Sequence, residues 1–297
     1  MKRMGHYSYT AMTQLPGRTV YTKPMRWLGR VLPGNFLKTF VYLNFIQAPR
    51  RILRTITTAF YRMDHIYDVL KEFKQGYRGP FSILELGTAN GYSFVKMLYA
   101  IRYMNMEDRV TVHAFDSFEG LRPPSDKEEQ GLISNDWEAG QYRGNYETLK
   151  DYCEAHHYSN YKIHKGYFED TLTPLLINEL KTFKPILVWV DCDYYSSAKT
   201  VFERLLPILS SGCVFYFDDW GFNFGSRFTG EARLIYEVNR GMFGDNIELI
   251  PDRKLSLDSN RVYRFIHFDQ AAIQFERLSK PDWQGKARPI GNGSPMP

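Results

Sequence analysis

Cysteine is scarce in this chain: there are three in 297 residues, and no two of them form a C-x-x-C pair. Disulfide frameworks and zinc ribbons need paired cysteines, so we expect a reduced protein with a cytoplasmic location. The sequence also lacks a run of about 18 apolar residues, the length that a transmembrane helix requires. The N-terminus has no clear apolar core of a cleavable signal peptide, which agrees with that location.

Three catalytic signatures are missing as well. The seven histidines show neither H-x-x-H nor H-E-x-x-H spacing, which disfavours a histidine-based zinc site. No G-x-S-x-G elbow is present, which argues against an α/β-hydrolase. The turn after the first predicted strand lacks the G-x-G-x-x-G pattern of dinucleotide-binding enzymes, which argues against a nicotinamide dehydrogenase.

Acidic residues are absent from residues 1–63, which carry eleven lysines and arginines, whereas the rest of the chain has 27 basic and 33 acidic residues. A nucleic-acid-binding protein more often spreads its basic residues over the folded body, so we expect no nucleic-acid partner. The mixed apolar and basic stretch 36–62 predicts two short amphipathic helices. We treat 1–60 as a basic N-terminal extension that packs on the body, covers the active site as a lid, or contacts a membrane surface weakly.

Short apolar runs alternate with amphipathic segments after this extension, a pattern that predicts a doubly wound, mostly parallel α/β sheet. The predicted strands are Phe81–Leu86, Arg109–Phe115, Tyr161–His164, Ile186–Val190, Cys213–Phe217, Ile247–Ile250 and Val262–Phe268. The predicted helices are Asp64–Lys74, Tyr92–Met104, Tyr142–His157, Leu172–Thr182, Ala198–Leu209 (closed by Gly212) and Glu231–Arg240. We therefore place a Rossmann-like domain at 61–270 and a flexible C-terminal tail at 271–297.

Four aspartates follow two neighbouring apolar strands of this prediction. Asp191 and Asp193 come after the fourth strand, and Asp218 and Asp219 come after the fifth. Because one helix joins these strands, they form a parallel pair whose carboxyl ends meet at one edge of the sheet. Carboxylates this close repel each other unless they share a proton or a cation. Although aspartate also caps helices, we predict a site for a hard cation such as magnesium or calcium.

The segment that leads from the first strand into the next helix is typical of a cofactor site. Residues 87–91 form a glycine-containing turn, which places backbone N–H groups where a charged or polar cofactor can bind. Asp116 follows the second strand, where an acidic side chain can hydrogen-bond ribose hydroxyls. The polar stretch 117–140 is long for a loop, and we predict a lid or a binding loop there.

Five short motifs occur in a fixed order: ELGTANG at 85–91, FDSFEGL at 115–121, GYFEDTL at 166–172, DCDYYS at 191–196 and DDWG at 218–221. Together they resemble the TylF/MycF family of class I S-adenosylmethionine-dependent O-methyltransferases, which act on sugar hydroxyls of macrolides and related products. The resemblance covers about residues 60–268. One departure is Ala89, which stands where the commoner class I turn has its middle glycine.

By this resemblance, the chain is an enzyme that moves the methyl group of S-adenosylmethionine to a hydroxyl of a sugar or a glycosylated natural product. Its sheet would have seven strands in a Rossmann-like methyltransferase fold, with helices on both faces. Glu85 with the turn glycines would shape the methionine end of the cofactor site, Asp116 would hold the ribose, and Phe168 with Glu169 would lie near the adenine. The full set of implied cofactor residues is Glu85, Gly87, Thr88, Asn90, Gly91, Tyr92, Ser93, Asp116, Ser117, Gly166, Phe168, Glu169 and Asp191.

The resemblance also implies that Asp191, Asp218 and Asp219 bind Mg²⁺. Coordination to a divalent cation lowers the pKa of an aliphatic hydroxyl and holds it in line with the sulfonium methyl group. A nearby carboxylate can then take the proton, with Asp191 as the first candidate and Asp193 as the second. As partners we expect a small hydroxylated acceptor of sugar or polyketide type and a second copy of the chain in a homo-oligomer.

Three other interpretations stay open at this stage. Asp191-Cys192-Asp193 after an apolar strand is also the D-x-D signature of a metal-dependent glycosyltransferase, although that enzyme would leave Asp218 and Asp219 unexplained. A phenolic O-methyltransferase is the second, because a catechol chelates magnesium as any vicinal diol does. The third is a non-catalytic binding protein that its basic extension tethers to a membrane or to nucleic acid.

Overall fold

The computed structural model describes residues 65–123, 139–252, 255, 261–268, 274–281 and 287–289. The described residues within 66–252 and 261–297 belong to one compact unit. The predicted N-terminal extension 1–60, with its amphipathic helices, lies outside the described residues, as do residues 124–138 of the predicted lid loop.

The described residues form one large sheet and the helices that cover it. The strands are β1 (Phe81–Leu86), β2 (Val110–Asp116), β3 (Tyr161–Lys165), β4 (Lys184–Val190), β5 (Val214–Phe217), β6 (Ile247–Pro251) and β7 (Val262–His267). The helices are α1 (66–76), α2 (Tyr92–Tyr103), α3 (Tyr146–Ala155), α4 (Phe168–Thr171), α5 (Pro174–Thr182), α6 (Tyr195–Leu205) and α7 (Gly230–Val238). Short 3₁₀ turns occur at Leu206–Ile208 and Phe222–Gly225.

The sheet has the strand order β3-β2-β1-β4-β5-β7-β6. Strands β3, β2, β1, β4 and β5 pair in parallel, and β7 runs antiparallel to both β5 and β6. The order reverses between β1 and β4, and the crevice at such a reversal is where open α/β sheets bind ligands. The predicted doubly wound, mostly parallel seven-stranded sheet is confirmed.

The core lies at the centre of this sheet, where the strands are apolar on both faces. All six residues of β1 and all four of β5 are buried, as expected for parallel strands covered by helices. The rings of Trp189 and Tyr216 stack with their centroids 3.7 Å apart. Helix α2 buries Phe94, Met97, Leu98 and Ile101, the spacing of a single helical face. Apolar burial on this scale, at about 25 cal/mol per Å², drives formation of the sheet.

Two predicted helices differ from those in the structure because polar caps and proline override the apolar pattern. Helix α3 begins at Tyr146 rather than Tyr142, since the Asn145 side chain accepts a hydrogen bond from the Thr148 N–H at 3.0 Å. The predicted helix 172–182 begins two residues later, as α5 at Pro174, and α4 is a separate short helix before it. Thr173 caps α5, and Pro174 takes its first position, which proline favours.

The helix that joins β4 to β5 also ends earlier than the sequence predicts. Helix α6 stops at Leu205 and tightens into a 3₁₀ turn that contains Pro207, since proline cannot continue the helical hydrogen bonds. Gly212, predicted to close this helix, lies instead in the turn before β5 with a φ of 95°.

A pair of stacked histidines joins β2 to β3. The Nδ1 atom of His113 lies 3.1 Å from the Nε2 atom of His164. Burial lowers the pKa of His113 to about 3 and that of His164 to about 4. Both rings are therefore neutral at neutral pH, and His113 is buried in the core.

The stretch predicted as a C-terminal tail contains defined contacts. The Phe275 ring packs against Phe73 of α1 with a centroid distance of 4.8 Å, and the Leu278 N–H donates to the Gly76 carbonyl oxygen at 2.9 Å. Residues Ser279–Pro281 and Ala287–Pro289 pair as two antiparallel strands, β8 and β9. Among the described helices, none is long and apolar enough to cross a membrane.

Candidate active site

The aspartates after β4 and β5 lie together at the carboxyl edge of the sheet. Val190 pairs with Phe217 at the ends of these strands, and the Asp218 N–H donates to the Val190 carbonyl oxygen at 2.9 Å. One carboxylate oxygen from each of Asp191, Asp218 and Asp219 lies within 4.8 Å of the other two. Three oxygen donors at this spacing fit a hard cation such as Mg²⁺ better than zinc.

Asp191 is held against the glycine turn of β1. Its N–H donates to the Leu86 carbonyl oxygen at 2.9 Å. Gly87, with a φ of 93°, packs so tightly that a Cβ atom there would lie 1.8 Å from the Asp191 carbonyl oxygen. Glycine is therefore required at position 87 both for its backbone conformation and for its lack of a side chain. This contact joins the predicted cofactor turn to the aspartate cluster.

Asp218 and Asp219 are each held by hydrogen bonds to other parts of the chain. The Asp218 carboxylate accepts from Nη1 of Arg261 at 3.1 Å, in an ion pair with most of both side chains buried. The Asp219 N–H donates to Oε2 of Glu231 at 2.9 Å, and the Asp219 carbonyl oxygen accepts from the Phe222 N–H at 2.9 Å. The backbone of this pair is thus held by β4 on one side and by α7 on the other.

Asp193 lies beside this cluster with its side chain hydrogen-bonded to that of Asp219. Its φ of 61° is in the left-handed region, which aspartate tolerates better than most residues. Burial raises the pKa of Asp193 to about 8, and the negative charges of Asp219 and Asp218 add to this rise. In the absence of a cation, Asp193 is therefore largely protonated at neutral pH and can donate its proton to Asp219.

A fifth carboxyl group, Glu231, was not identified from the sequence. It lies in the first turn of α7 with no exposed surface. Burial raises its pKa well above the usual range, and the charges of Asp219 and the other aspartates act in the same direction. In the sequence, an acidic residue at a helix start indicates only a favourable interaction with the helix dipole. Its burial depends on how α7 packs, which no local pattern indicates.

The turn 87–91 is braced by Asp116. One carboxylate oxygen of Asp116 accepts from the Thr88 N–H at 2.9 Å and from the Ala89 N–H at 2.7 Å, and the other accepts from the Phe118 N–H at 2.5 Å. A carboxylate has about four acceptor positions, so about one is left for a ribose hydroxyl. The ribose contact stays a prediction, while the bracing of the turn is a role that the sequence did not indicate.

The hydrogen bonds of this turn also bear on the kind of cofactor. The N–H groups of Gly87, Thr88, Ala89 and Gly91 all donate to protein oxygens. A dinucleotide pyrophosphate needs such groups as donors, and here they are already used. The turn is therefore a poor phosphate cradle, which agrees with the absence of G-x-G-x-x-G. Ala89 takes the left-handed conformation, with a φ of 45°, at the position where the commoner turn has glycine.

The remaining predicted cofactor residues fall into buried and exposed groups. Glu85, Thr88 and Ser93 are buried beside the turn, whereas Asn90 is exposed and Tyr92 is 60% exposed. The Lys96 ammonium group lies 3.6 Å from the centre of the Tyr92 ring. These residues all lie in or beside the turn and differ only in exposure, so their contacts with a cofactor stay a prediction.

The predicted adenine region is linked to the loop after β2. The Gly166 N–H donates to the Asp116 carbonyl oxygen at 2.9 Å. Tyr167 donates its hydroxyl hydrogen to Glu119 at 2.8 Å, and Glu169 pairs with Arg122 at 2.6 Å. Two further members of the predicted set lie here: Phe168, which is half-buried, and Ser117, whose hydroxyl accepts from the Glu119 N–H at 3.1 Å.

Comparison with known proteins gives the class. A family model described as a methyltransferase domain matches residues 84–220, which run from the second half of β1 to just beyond β5. The crystal structure of the calicheamicin methyltransferase CalS11 is similar with a TM-score of 0.53 and 19% identity, over 86% of this chain and 94% of that one. The O-methyltransferase NovP is similar with a TM-score of 0.51 and 16% identity, over 70% of this chain and 80% of that one. No curated protein matches the sequence.

The two solved structures establish the fold, and the family match covers its parallel half, which carries the glycine turn and the aspartates. Together they confirm the predicted enzyme class: the chain is a methyltransferase that uses S-adenosylmethionine.

Proposed function

We propose that this methyltransferase is a Mg²⁺-dependent O-methyltransferase of the TylF/MycF type, which acts on a hydroxyl of a sugar or a glycosylated natural product. The observation that carries the proposal is the group of three carboxylate oxygens from Asp191, Asp218 and Asp219, all within 4.8 Å of one another. CalS11 is a calicheamicin methyltransferase, which supports a natural-product acceptor, and NovP is an O-methyltransferase, which supports transfer to a hydroxyl.

The three aspartates would hold the cation, and the fit rests on their chemistry. Asp218 is already paired with Arg261, so the site is not left with the full repulsion of three bare carboxylates. When bound, a divalent cation would lower the pKa of an acceptor hydroxyl and fix its orientation. The turn 87–91 and Asp116 would bind S-adenosylmethionine, whose sulfonium supplies an electrophilic methyl group.

We propose Asp193 as the general base, ahead of Asp191. Asp191 is one of the three clustered carboxylates, and lone pairs that hold a cation do not accept a proton. Asp193 lies outside that group of three but adjoins it through a hydrogen bond with Asp219, and a carboxylate beside the acceptor site can serve as the general base. We expect Asp193→Asn to lose turnover while its Mg²⁺ affinity stays within a few-fold of the wild type, whereas Asp191→Asn loses both. Equal turnover in Asp193→Asn and the wild type would return the role to Asp191.

A phenolic acceptor is the second candidate, because aromatic side chains are exposed on the loop after Asp219. Phe224 is 98% exposed and adopts a φ of 62°, and Phe228 is 57% exposed. A left-handed backbone at a bulky residue is costly and often marks a functional position. Exposed rings in this loop would suit an acceptor with an aromatic part.

The test is calorimetric titration with S-adenosylmethionine, with and without Mg²⁺, and after addition of EDTA. We expect micromolar binding of S-adenosylmethionine, followed by Mg²⁺-dependent methylation of members of a panel of hydroxylated sugars, glycosides and catechols. A nucleotide sugar is the control ligand. Binding of the nucleotide sugar alone, and only with metal, would instead support the glycosyltransferase interpretation of Asp191-Cys192-Asp193.

A further inference from the structure

Glu231 is a fully buried acidic residue that touches the aspartate cluster without belonging to its three clustered carboxylates. It is the second residue of α7 and has no exposed surface. Its Oε2 atom accepts from the Asp219 N–H at 2.9 Å. Within the part of the chain that the structure describes, its Oε1 atom is buried without a hydrogen-bond partner.

A contribution to helix stability alone does not account for this burial. An acidic residue in the first turn of a helix stabilises it only modestly, and it does so equally well from the surface. Burying a carboxyl group with an unsatisfied oxygen costs more than that. The group therefore needs another reason to lie beneath Asp219, and its hydrogen bond to the Asp219 backbone is the direct one.

That hydrogen bond is one of two that hold the backbone of Asp218 and Asp219, each acting on a different peptide group. The Asp218 N–H donates to Val190 at the end of β4, while the Asp219 N–H donates to Glu231 at the start of α7. Gly230, with a φ of 56°, directly precedes Glu231, and a Cβ atom there would lie 3.5 Å from the Asp193 carbonyl oxygen. The start of α7 is thus packed against both acidic turns.

We infer that Glu231 is a positioning residue: its carboxyl oxygen sets the backbone of Asp219 and so directs the Asp219 carboxylate at the position of the divalent cation. The inference rests on the proposed function, since it concerns the metal site proposed there. Residues that orient metal ligands without binding the metal typically contribute 10–100-fold to metal affinity. In this role Glu231 supplies a hydrogen-bond acceptor whose side chain is long enough to meet the Asp219 N–H. The negative charge of the carboxylate is not required for it.

Two substitutions separate reach from charge. Glu231→Gln keeps the length of the side chain and offers an amide oxygen to the Asp219 N–H. Glu231→Asp keeps the carboxyl group but withdraws it by one carbon–carbon bond, about 1.5 Å, which stretches a 2.9 Å contact beyond hydrogen-bonding distance. We expect Glu231→Gln to bind Mg²⁺ within about threefold of the wild type, and Glu231→Asp to bind it about tenfold more weakly.

The measurement is calorimetric titration of the full chain with Mg²⁺. A second titration, with S-adenosylhomocysteine, checks the cofactor site. Its dissociation constant should change less than about twofold between the wild type and the two Glu231 variants, a shift under about 0.5 kcal/mol. Glu237→Asp is the matched control, because Glu237 is a second buried acid of α7 and bonds to Tyr195 and Arg233 rather than to Asp219. It should lower the melting temperature but leave the Mg²⁺ affinity unchanged.

The outcomes are distinct. A wild type that binds Mg²⁺, with Glu231→Asp folded and binding it equally well, overturns the role of Glu231 alone. The reverse order, with Glu231→Asp unchanged and Glu231→Gln weakened, shows that charge matters rather than reach and also overturns it. A wild type that binds no Mg²⁺ refutes the proposed metal site, and the inference about Glu231 with it.

Discussion

Gly87 and Asp191 are packed so closely that a methyl group on Gly87 would lie 1.8 Å from the carbonyl oxygen of Asp191. Gly87 directly follows β1 and is the first residue of the predicted cofactor turn. Asp191 directly follows β4 and is the first residue of the aspartate cluster. The two halves of the proposed site therefore share one backbone contact. A change in either residue should affect both halves.

Gly87→Ala should destabilise the protein by about 2–5 kcal/mol. The left-handed φ costs an alanine about 1–2 kcal/mol, and overpacking adds about 1–3 kcal/mol. Gly212→Ala is the matched control, because Gly212 has nearly the same φ, 95°, and a Cβ atom there would have no neighbouring atom within 4 Å. Urea unfolding should show only the backbone cost for Gly212→Ala, and equal losses in the two variants would contradict the close contact.

Asp218→Ala and Asp219→Ala should each lower turnover by about a thousandfold or more while S-adenosylmethionine still binds. A divalent cation contributes several kcal/mol to the transition state, and each 1.36 kcal/mol is a tenfold change in rate. Glu203→Gln, on the exposed side of α6, serves as a control for loss of an acidic charge. Unchanged kcat in both aspartate variants would refute the metal assignment.

Asp116→Asn should weaken S-adenosylmethionine binding and also lower the free energy of unfolding. The amide nitrogen cannot accept a hydrogen bond, so at least one of the three N–H groups now bonded to Asp116 loses its acceptor, at about 1–3 kcal/mol. Denaturant unfolding and cofactor titration should therefore change together. Weaker binding with unchanged stability would mean that Asp116 only holds the ribose.

The histidine pair predicts a loss of stability in mild acid. Because the pKa values of His113 and His164 are lowered in the folded state to about 3 and about 4, the unfolded chain binds more protons below its usual histidine pKa of about 6.5. The stabilisation is complete above about pH 6.5 and decreases as the pH falls towards these folded-state values. Melting temperatures between pH 7 and 5 should fall less steeply in His164→Phe than in the wild type.

His157→Asn is the control for this comparison. His157 is exposed and has a φ of 55°, a conformation that asparagine tolerates. In His157→Asn the buried pair is intact, so the melting temperature should fall between pH 7 and 5 as it does in the wild type. An equal slope in His164→Phe and the wild type would show that the buried pair does not titrate on unfolding.

The positions of the strands and the clustering of the aspartates at one edge of the sheet could be predicted, because both follow from local sequence patterns. β5 and the 186–190 part of β4 are apolar throughout, so these runs are visible in the sequence. Parallel strands joined by one helix must end at the same edge of the sheet. The positions of Asp191 and Asp218 follow from that alone. The larger shifts in element limits occur where a cap or a proline intervenes, as at Asn145 and Pro207.

The supports of the site could not be predicted because they are long-range contacts. The bracing of Thr88 by Asp116 joins residues 28 positions apart, and the ion pair between Asp218 and Arg261 spans 43. Glu231 differs from an ordinary surface acid only in what α7 packs against. Spacing along the chain indicates which residues reach an edge of the sheet, but not which backbone donors or buried carboxyl groups lie behind them.

The place of β7 in the sheet has a consequence for the order in which the molecule can fold. β7 is the last of the seven strands in the chain, yet it lies between β5 and β6 and pairs with both. While the chain is being synthesised, β6 has no neighbour in the sheet until β7 leaves the ribosome. Arg261, the partner of Asp218, directly precedes β7, so the acidic edge gains its arginine in the same late event. The pairing of β6 within the sheet and the pairing of Asp218 with Arg261 therefore both depend on the same late segment of the chain.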